Sequence, residues 1–449
     1  MMLRLENVGA IKKASVNLTG LTIIAGKNGT GKSTIGKTVY TIIKAVKEKD
    51  KILEETRKQS AEMLCMRTFF TLQNDIKNYD ARVGITGGNV NNDAVLLRTQ
   101  FELNVFARIL IELIDKGQLE EAQSLVYSRL KIISEFSDKV GTQTKNLASS
   151  FLQTLIDQLK SKDFINDVHA ALSYMYNKVF NYQINNLVSH ETSKITFDNF
   201  LSYSVSNNAD VLSFSKRLYI NKVEPNIQST IFQNATLIET PLILQLQKNE
   251  DTENIPTYWL DLIEKIKTGL KSNNTLLEGV LQDIYKEVNS LLGGSLEYNS
   301  DEQKMVFVKN EFNNGKLFVN NMSSGEKMLA IFQNFVKSGL LGPEHLLILD
   351  EPENHLHPEW QLALAKILTQ LAGAGFPILV NSHSPDFIQA LKIFSEEDEN
   401  ISSKTKFYLA NMNTGIIEDK TDMVYEVLDE LSTPINNIFR EVLNRNKNV

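Results

Sequence analysis

The sequence is nearly free of cysteine, has no long apolar run and carries no excess of basic residues. A single cysteine, Cys65, stands among 449 residues, which excludes an internal disulfide and a cysteine-based metal cluster; a small buried hydrophobe is the preferred interpretation. No run of eighteen apolar residues occurs, and Arg4 and Glu6 interrupt the first apolar segment, so neither a membrane span nor a secretory signal is expected. These absences are typical of a cytoplasmic protein that does not associate with a membrane.

The charge balance bears on nucleic-acid binding. Lysine and arginine number 47 against 54 acidic residues, which gives a formal net charge of −7 at pH 7. This balance argues against a surface coated with basic groups, although a local basic groove is compatible with it because net charge says little about distribution. A hydrophobic content of 42% is ordinary for a globular protein, and the length suits two or three domains.

The most informative motif lies near the amino terminus and fits the pattern G-x-x-x-x-G-K-[ST]. It follows the apolar segment Leu21–Ala25 and reads Gly26-Lys27-Asn28-Gly29-Thr30-Gly31-Lys32-Ser33-Thr34. Its glycines let backbone N–H groups point at an anion, Lys32 can reach the β- and γ-phosphates, and the Ser33 hydroxyl can ligate Mg²⁺. A glycine-rich turn that matches by chance is the alternative. The strand before it and the helical pattern of Thr34 to Val46 after it favour a phosphate-binding loop at a helix N-terminus.

The pattern along the chain predicts an α/β fold with a helical insertion. Strands are expected at Leu3 to Val8 and Val16 to Leu18, and helical periodicity dominates the middle of the chain, for example at Leu103, Phe106, Leu110 and Ile114. Further strands are expected at Ala235–Glu239, Ser295–Tyr298, Met305–Lys309 and Lys316–Val319. From Leu346 onward, strands and helices alternate, which indicates βαβ units and a parallel sheet. Residues 1–48 and 230–449 are therefore predicted to form one nucleotide-binding head, interrupted by a helical insertion at 49–229.

A second motif places two carboxylates after an aliphatic strand, in Leu346-Leu347-Ile348-Leu349-Asp350-Glu351. Buried parallel strands present such acids at their carboxyl ends, where α/β folds bind ligands. We expect Asp350 to hold Mg²⁺ and Glu351 to polarise the water that attacks a γ-phosphate. The alternative, two solvated loop acids, is disfavoured by the phosphate loop in the same chain.

A third motif, Ser323-Ser324-Gly325-Glu326-Lys327, precedes an apolar helix. Ser324 can be interpreted as an N-cap with Lys327 in the first turn, which explains the motif without a ligand. The same helix N-terminus, with its free N–H groups and the hydroxyl of Ser324, can also bind an anion, here a γ-phosphate delivered by another subunit.

Two histidine-bearing segments follow. His383 ends the apolar strand Val380 to Ser382 at the sheet edge expected to carry the acids, where its imidazole can bond the γ-phosphate and sense its loss. A purely structural histidine is the alternative. His355 and His357 suggest zinc together with Glu351 and Glu353, but no third clustered histidine or cysteine completes that set. A loop that shapes a subunit interface, with Pro358 opening the next helix, is preferred.

Taken in order, these motifs resemble those of the ABC-type ATPase superfamily. Gly26–Ser33 resembles its Walker A motif, Ser323–Lys327 its signature, Leu346–Glu351 its Walker B motif and His383 its switch histidine. The resemblance implies an ABC-type P-loop head that binds and hydrolyses ATP with Mg²⁺. It also implies a homodimer in which two ATP molecules are each shared between the Walker motifs of one subunit and Ser324 and Gly325 of the other.

Finer features are similar to the overcoming-lysogenisation-defect (OLD) branch, to which the ATPase subunits of Septu-type anti-phage systems are related. They are Asp350 to Pro358, Gln361 and Asn381 to Pro385. OLD nucleases continue into a TOPRIM domain with an Asp-x-Asp pair, and residues 384–449 contain none. We therefore expect a separate effector, such as an HNH nuclease, with nucleic acid reached through the complex. The family's Q-loop has only a candidate region, Glu239 to Pro241.

Three functions follow from the resemblance. The first is a defence ATPase whose dimers, alone or in a larger assembly, regulate the effector through the insertion. The second is a DNA-bound clamp of the SMC or recombination type, against which the acidic balance and the lack of sustained heptads count. The third is a transporter ATPase, which the signature disfavours because transporters usually carry Leu-Ser-Gly-Gly-Gln.

Overall fold

The computed structural model divides the chain into two compact units. One, called the head unit, comprises Met1–Lys47 and Leu172–Val449; the other, called the insertion unit, comprises Glu48–Ala171. The described residues are 1–83, 92–134, 150–157, 164–180, 192–198, 200–206, 217–224, 227, 231–246, 255–271, 279–299, 304–310, 315–354 and 356–447. Within these ranges no helix is both long and apolar enough to cross a bilayer.

Strands and helices are numbered in chain order. The strands are β1 (Met2–Val8), β2 (Ile11–Asn17), β3 (Leu21–Gly26), β4 (Ser193–Phe197), β5 (Leu201–Ser206), β6 (Arg217–Val223), β7 (Asn234–Ile238), β8 (Gly294–Asn299), β9 (Lys304–Lys309), β10 (Gly315–Phe318), β11 (His345–Asp350), β12 (Ile378–Ser382), β13 (Thr405–Ala410) and β14 (Ile416–Asp419). The helices are α1 (Lys32–Lys47), α2 (Lys49–Val83), α3 (Asn92–Asp115), α4 (Leu119–Ser134), α5 (150–157), α6 (Phe164–Phe180), α7 (Thr257–Lys271), α8 (Val280–Leu292), α9 (Ser324–Ser338), α10 (Pro358–Gly373), α11 (Pro385–Glu396), α12 (Glu399–Ser403) and α13 (Val424–Lys447).

A mixed sheet forms the framework of the head unit. Its eleven strands within the described ranges follow the order β6-β5-β4-β1-β2-β14-β13-β3-β12-β11-β7. The segment β13-β3-β12-β11-β7 is parallel throughout, whereas β6, β5, β4, β1 and β2 pair antiparallel. A separate antiparallel sheet has the order β10-β9-β8. The predicted α/β class with a mixed sheet and a helical subdomain is confirmed.

The central parallel strands are aliphatic because both of their faces are covered. On one face, Leu347 and Leu349 join the main hydrophobic core, to which α9, α10 and α11 contribute. On the other face, Ile348 lies against Gly36 of α1. Every residue of β3, β11 and β12 is buried, as expected for parallel strands between helical layers. The sheet therefore carries α1 and the loop before it on a rigid support.

The insertion unit has a hydrophobic core of its own. The helical face predicted at Leu103, Phe106, Leu110 and Ile114 is buried on α3. It packs with side chains of α2, α4 and α5, among them Phe69, whose ring meets that of Phe106 edge-on with centroids 4.9 Å apart. Cys65 is buried in the same cluster, as its interpretation as a small hydrophobe predicts.

The end of the predicted insertion differs from the structure. The helical insertion is predicted to extend to residue 229, whereas β4, β5 and β6 lie within that stretch and extend the head sheet. Backbone pairing of β4 with β1 brings residues from Ser193 to Phe197 next to the first strand of the chain. This pairing joins segments about 190 residues apart, so local periodicity carries no signal for it.

A buried polar cluster fixes the start of β11. His345 is 7% exposed, and its Nε2 lies 2.8 Å from Oγ1 of Thr236 on β7. Lys265 of α7 donates to the Thr236 hydroxyl and to Asp261, which also pairs with Lys44 of α1. Burial, with Lys265 and Lys44 nearby, lowers the pKa of His345 to about 3. This histidine therefore stays neutral in the folded protein.

We expect the free energy of unfolding to decrease as pH falls below neutral, because of His345. Below its ordinary pKa of 6.5, the unfolded chain takes up a proton that the folded chain refuses until about pH 3, so the free energy of unfolding decreases as pH falls. Between pH 6.5 and 5 this histidine should cost about 2 kcal/mol. Denaturant unfolding at both pH values should show a smaller loss for His345→Gln than for the wild type. An equal loss would contradict the assignment.

Candidate nucleotide-binding site

The predicted phosphate loop connects the end of β3 at Gly26 to the start of α1 at Lys32. Gly29 and Gly31 have φ values of +80° and +91°, which glycine adopts readily and other residues do not. The hydroxyl of Thr30 donates to the Lys27 carbonyl at 2.8 Å and closes the turn. The strand, loop and helix predicted from the motif are thus present in that order.

Lys32 is held inside this turn. Its side chain is 4% exposed, and Nζ donates to the carbonyl oxygens of Gly26 and Lys27 at 2.8 and 2.9 Å. Nζ also lies 3.7 Å from Oε1 of Glu351. Burial lowers the pKa of this amine, while Glu351 and Asp350 act in the opposite direction. An ammonium group is therefore fixed between the loop and the acids.

Asp350 ends β11 beside β12. In the parallel register it is paired with Asn381, whose Nδ2 donates to Oδ1 of Asp350 at 2.9 Å. The side chain of Ser33 interacts with the same carboxylate. Asp350 is 8% exposed, and burial raises its pKa, while Ser33 and Asn381 act in the opposite direction. A hydroxyl and a carboxylate oxygen brought together in this way suit a hard cation such as Mg²⁺.

Glu351 adopts an unusual backbone conformation, with φ at +51°. Its N–H donates to the Asn381 carbonyl at 2.9 Å, and Asn354 donates from Nδ2 to Oε2 at 2.9 Å. Nδ1 of His383 lies 3.1 Å from Oε1 of Glu351, without the alignment of a hydrogen bond. Non-glycine residues in this region are strained and occur where the surroundings enforce them. The carboxylate is thereby directed between Lys32 and His383.

Glu239, predicted only as part of the candidate Q-loop region, lines the same cavity. It follows β7 and accepts hydrogen bonds from Tyr258 and Trp259 of α7, while Lys37 of α1 lies 2.7 Å from Oε1. Burial would raise the pKa of this carboxyl, but Lys37 and the two aromatic donors lower it overall. The only sequence signal for Glu239 was its place at the end of a short apolar strand.

Lys32, Asp350, Glu351 and Glu239 line one cavity of about 470 Å³, whereas His383 is not among its lining residues. This volume lies within the usual range of small-molecule sites. The lining residues are Ala10, Asn28, Gly29, Thr30, Gly31, Lys32, Ser33, Thr34, Glu239, Asp350, Glu351 and Asn354. A loop of N–H donors, a buried lysine and a hydroxyl–carboxylate pair suit a nucleotide phosphate with its cation.

A family model described as an AAA ATPase domain (AAA_15) matches residues 1–388. The chain belongs to this ATPase family. Nucleotide binding and ATP hydrolysis are therefore its general activity.

Three solved structures of SMC head domains are similar to this ATPase at low identity. A head bound to the C-winged helix domain of ScpA is 13% identical with a TM-score of 0.39, over 93% of this chain and 95% of that one. The head from Thermotoga maritima is 10% identical with a TM-score of 0.34, over 93% and 97%. A head with coiled coil and joint from Pyrococcus yayanosii is 13% identical with a TM-score of 0.35, over 96% and 98%. No curated protein matches the ATPase significantly.

The signature residues lie apart from this cavity in the single chain. Neither Ser324 nor Gly325 is among the lining residues. The N-cap of α9 is Ser323 and not Ser324: the Ser323 hydroxyl accepts from the Glu326 N–H at 3.2 Å, and Glu326 accepts from the Ser323 N–H at 2.8 Å. The reciprocal capping box decides this one-residue shift. Ser324 is left as the first helical residue, half-buried at the helix N-terminus.

The residues considered above as zinc ligands do not form a metal site within the described part of the ATPase. His357 is exposed and N-caps α10, where Nδ1 accepts from the Glu359 N–H at 3.4 Å and Pro358 is the first helical residue. His355 lies outside the described residues. Among the described histidines, cysteines and acids, no group of three or more is arranged to hold a metal.

Gly31 and Gly29 provide a matched pair for testing the loop. Both have positive φ, but a Cβ at Gly31 would stand 2.6 Å from Cγ1 of Ile11, whereas a Cβ at Gly29 would meet nothing within 4 Å. Either alanine should cost about 1–2 kcal/mol of strain, and Gly31→Ala should lose about 1–3 kcal/mol more through the clash. Denaturant unfolding of both variants measures this difference. Equal destabilisation would contradict the packing of Ile11 against the loop.

Proposed function

We propose that this chain binds ATP with Mg²⁺ in the cavity at the phosphate loop and hydrolyses it to ADP and phosphate. The observation that carries the proposal is the convergence of Lys32, Asp350, Glu351 and His383 where β3, β11 and β12 end. Lys32 lies 3.7 Å and His383 3.1 Å from the same carboxylate oxygen of Glu351. The ends of three strands thus bring a cation, a base and an imidazole close together, with Lys32 and Glu351 lining the cavity and His383 beside Glu351.

Each residue has a distinct role in the proposed reaction. The N–H groups of residues 26–34 and the ammonium of Lys32 bind the β- and γ-phosphates. Ser33 and Asp350 would hold Mg²⁺, which would supply electrostatic stabilisation of the phosphate charge. Glu351 accepts a proton from the attacking water as the bond from the γ-phosphorus to the ADP oxygen breaks. His383 donates a hydrogen bond to the γ-phosphate and registers its loss.

The proposal includes a homodimer with two shared ATP sites. Within one chain, Ser324 and Gly325 stand at the N-terminus of α9 and do not line the cavity. A helix N-terminus suits an anion, and the resemblance to ABC-type signatures supports a γ-phosphate bound to the other subunit. ATP then favours the closed dimer by its greater affinity for that form, and hydrolysis reopens it.

The proposed biological role is regulation of a separate effector, such as an HNH nuclease, in bacterial anti-phage defence. The segments Asp350 to Pro358 and Asn381 to Pro385 support it through their similarity to the OLD branch and to Septu-type ATPase subunits. The insertion unit, with its own hydrophobic core, is the proposed element that reports nucleotide state to the effector. A DNA-bound clamp without an effector is the second candidate, favoured by the general head architecture but not by the acidic charge balance.

The dimer is tested with Glu351→Gln. This change removes the base and keeps the side-chain shape, so hydrolysis should fall about 10²-fold or more while ATP binding persists and closed dimers accumulate. Light scattering with ATP and Mg²⁺ measures the dimers, and adding Ser324→Arg in the same background should return them to monomers. Unchanged turnover in Glu351→Gln would remove this residue from catalysis.

Lys32→Ala is the control: ATP affinity equal to wild type in calorimetry would contradict the phosphate-loop assignment.

The two biological roles differ in what the purified chain binds. For an effector regulator, the product of a neighbouring gene should co-purify with the chain, and Glu351→Gln with ATP should change the amount bound. Duplex DNA binding by the chain alone, measured between about 50 and 200 mM salt, should be weak. Tight binding by the chain alone that declines steeply with salt would favour the clamp.

A further inference from the structure

Two loops at the edge of the parallel sheet carry the proposed base and the histidine. One follows β11 and contains Glu351, and the other follows β12 and begins with His383. Near the strands, the loops are joined by the Asp350–Asn381 hydrogen bond and by the Glu351 N–H bond to the Asn381 carbonyl. Both contacts are made by Asp350 or by the backbone of Glu351, so neither involves the part of the first loop that follows Glu351.

That contact is made by Glu353 and Ser382. Oγ of Ser382 donates to Oε1 of Glu353 at 2.5 Å, and the Ser384 N–H donates to Oγ of Ser382 at 3.1 Å. Glu353 is 2% exposed and Ser382 is fully buried. The short distance is typical of a hydroxyl bonded to a carboxylate, so this is a strong, buried contact between the loops.

The other oxygen of Glu353 makes the residue unusual. Oε2 is buried and has no hydrogen-bond partner among the described atoms. Burying a carboxyl with one oxygen unsatisfied costs free energy, and each such group in a folded protein calls for an explanation. The backbone carbonyl of Glu353 has bonds of its own, from the Leu356 N–H and from Gln361. Anchoring of the local backbone therefore does not require this side chain.

The positions of the two residues point to their purpose. Glu353 lies two residues after Glu351, whose φ of +51° has to be enforced by its surroundings. Ser382 immediately precedes His383. A bond between Glu353 and Ser382 thus fixes the separation of the Glu351 carboxylate and the His383 imidazole, which are 3.1 Å apart.

We propose that Glu353, through Ser382, is a positioning residue for hydrolysis. Its bond to Ser382 holds the Glu351 carboxylate and the His383 imidazole at a fixed separation. The inference rests on the proposed function, because it concerns the same site. Glu353 does not line the nucleotide cavity, so it acts through its neighbours and not on the nucleotide. Its removal should reduce the rate of the chemical step and leave ATP binding unchanged, since misplacing catalytic groups by about 1 Å can cost about 10²-fold.

The test measures single-turnover hydrolysis and ATP affinity for Glu353→Ala, Glu353→Gln and Ser382→Ala. Glu353→Ala and Ser382→Ala should slow hydrolysis about 10- to 100-fold and change ATP affinity less than about threefold. Glu353→Gln keeps an oxygen that accepts from Ser382 and should restore most of the rate. Ser395→Ala is the matched control, because it removes a buried hydroxyl that bonds the Lys392 carbonyl on α11.

A double-mutant cycle with His383→Ala separates positioning from general stability. If Glu353 acts through the histidine loop, Glu353→Ala should cost less than about threefold in the His383→Ala background, because the groups act as one unit. An equal fold-loss in both backgrounds would overturn the proposal, as would full activity of Glu353→Ala. If Glu353→Ala does not fold, the same cycle with Ser382→Ala decides.

The inference and the proposed function fail in different ways. If the wild type hydrolyses ATP, and Lys32→Ala abolishes hydrolysis while the Glu353 and Ser382 variants keep full rates, only the positioning proposal is wrong. If the wild type and Lys32→Ala both show no hydrolysis, the ATPase proposal at this site fails, and the positioning proposal fails with it.

Discussion

Parallel backbone pairing among β3, β12 and β11 is the interaction on which the rest of the site depends. The register sets Ser382 opposite Ala25 and Asp350 opposite Asn381, so three strands end at nearly the same level. Parallel strands present their carboxyl ends at one edge, and the phosphate loop, the acids and the histidine are the residues that follow those ends. A one-residue shift in the register of one strand would move its side chains to the opposite face of the sheet and separate these groups.

Burial determines the chemical character of the site, and it also carries a free-energy cost for the charged groups. Lys32, Asp350 and Glu353 are each less than a tenth exposed, and burial shifts the pKa of each toward its neutral form. Each group is retained by short contacts to its neighbours, such as the two loop carbonyls that accept from Lys32. Such an arrangement is tolerated where fixed polar groups serve a reaction, and it favours a pre-formed site over one assembled by the nucleotide.

The two units have different roles in the proposed mechanism. The head unit contains all the residues of the nucleotide cavity, and α1 connects that cavity to the polar cluster around Asp261 and His345. The insertion unit is stabilised by its own apolar cluster, including the Phe69 and Phe106 rings. An element with an independent core can vary in sequence without disturbing the catalytic groups, which suits a module that contacts a partner.

By itself, the sequence determined the local features of this protein. Glycine spacing, the aliphatic run before Asp350 and the periodic face of α3 are set by backbone sterics and by the alternation of apolar residues, and the structure has the loop, strand and helix that they predict. Only the tertiary structure decided which distant segments meet. Pairing of β4 with β1, the approach of Glu239 to the cavity and the Glu353–Ser382 bond join residues far apart in the chain. Such contacts arise from sheet order and helix packing, and no local pattern of residue types encodes them.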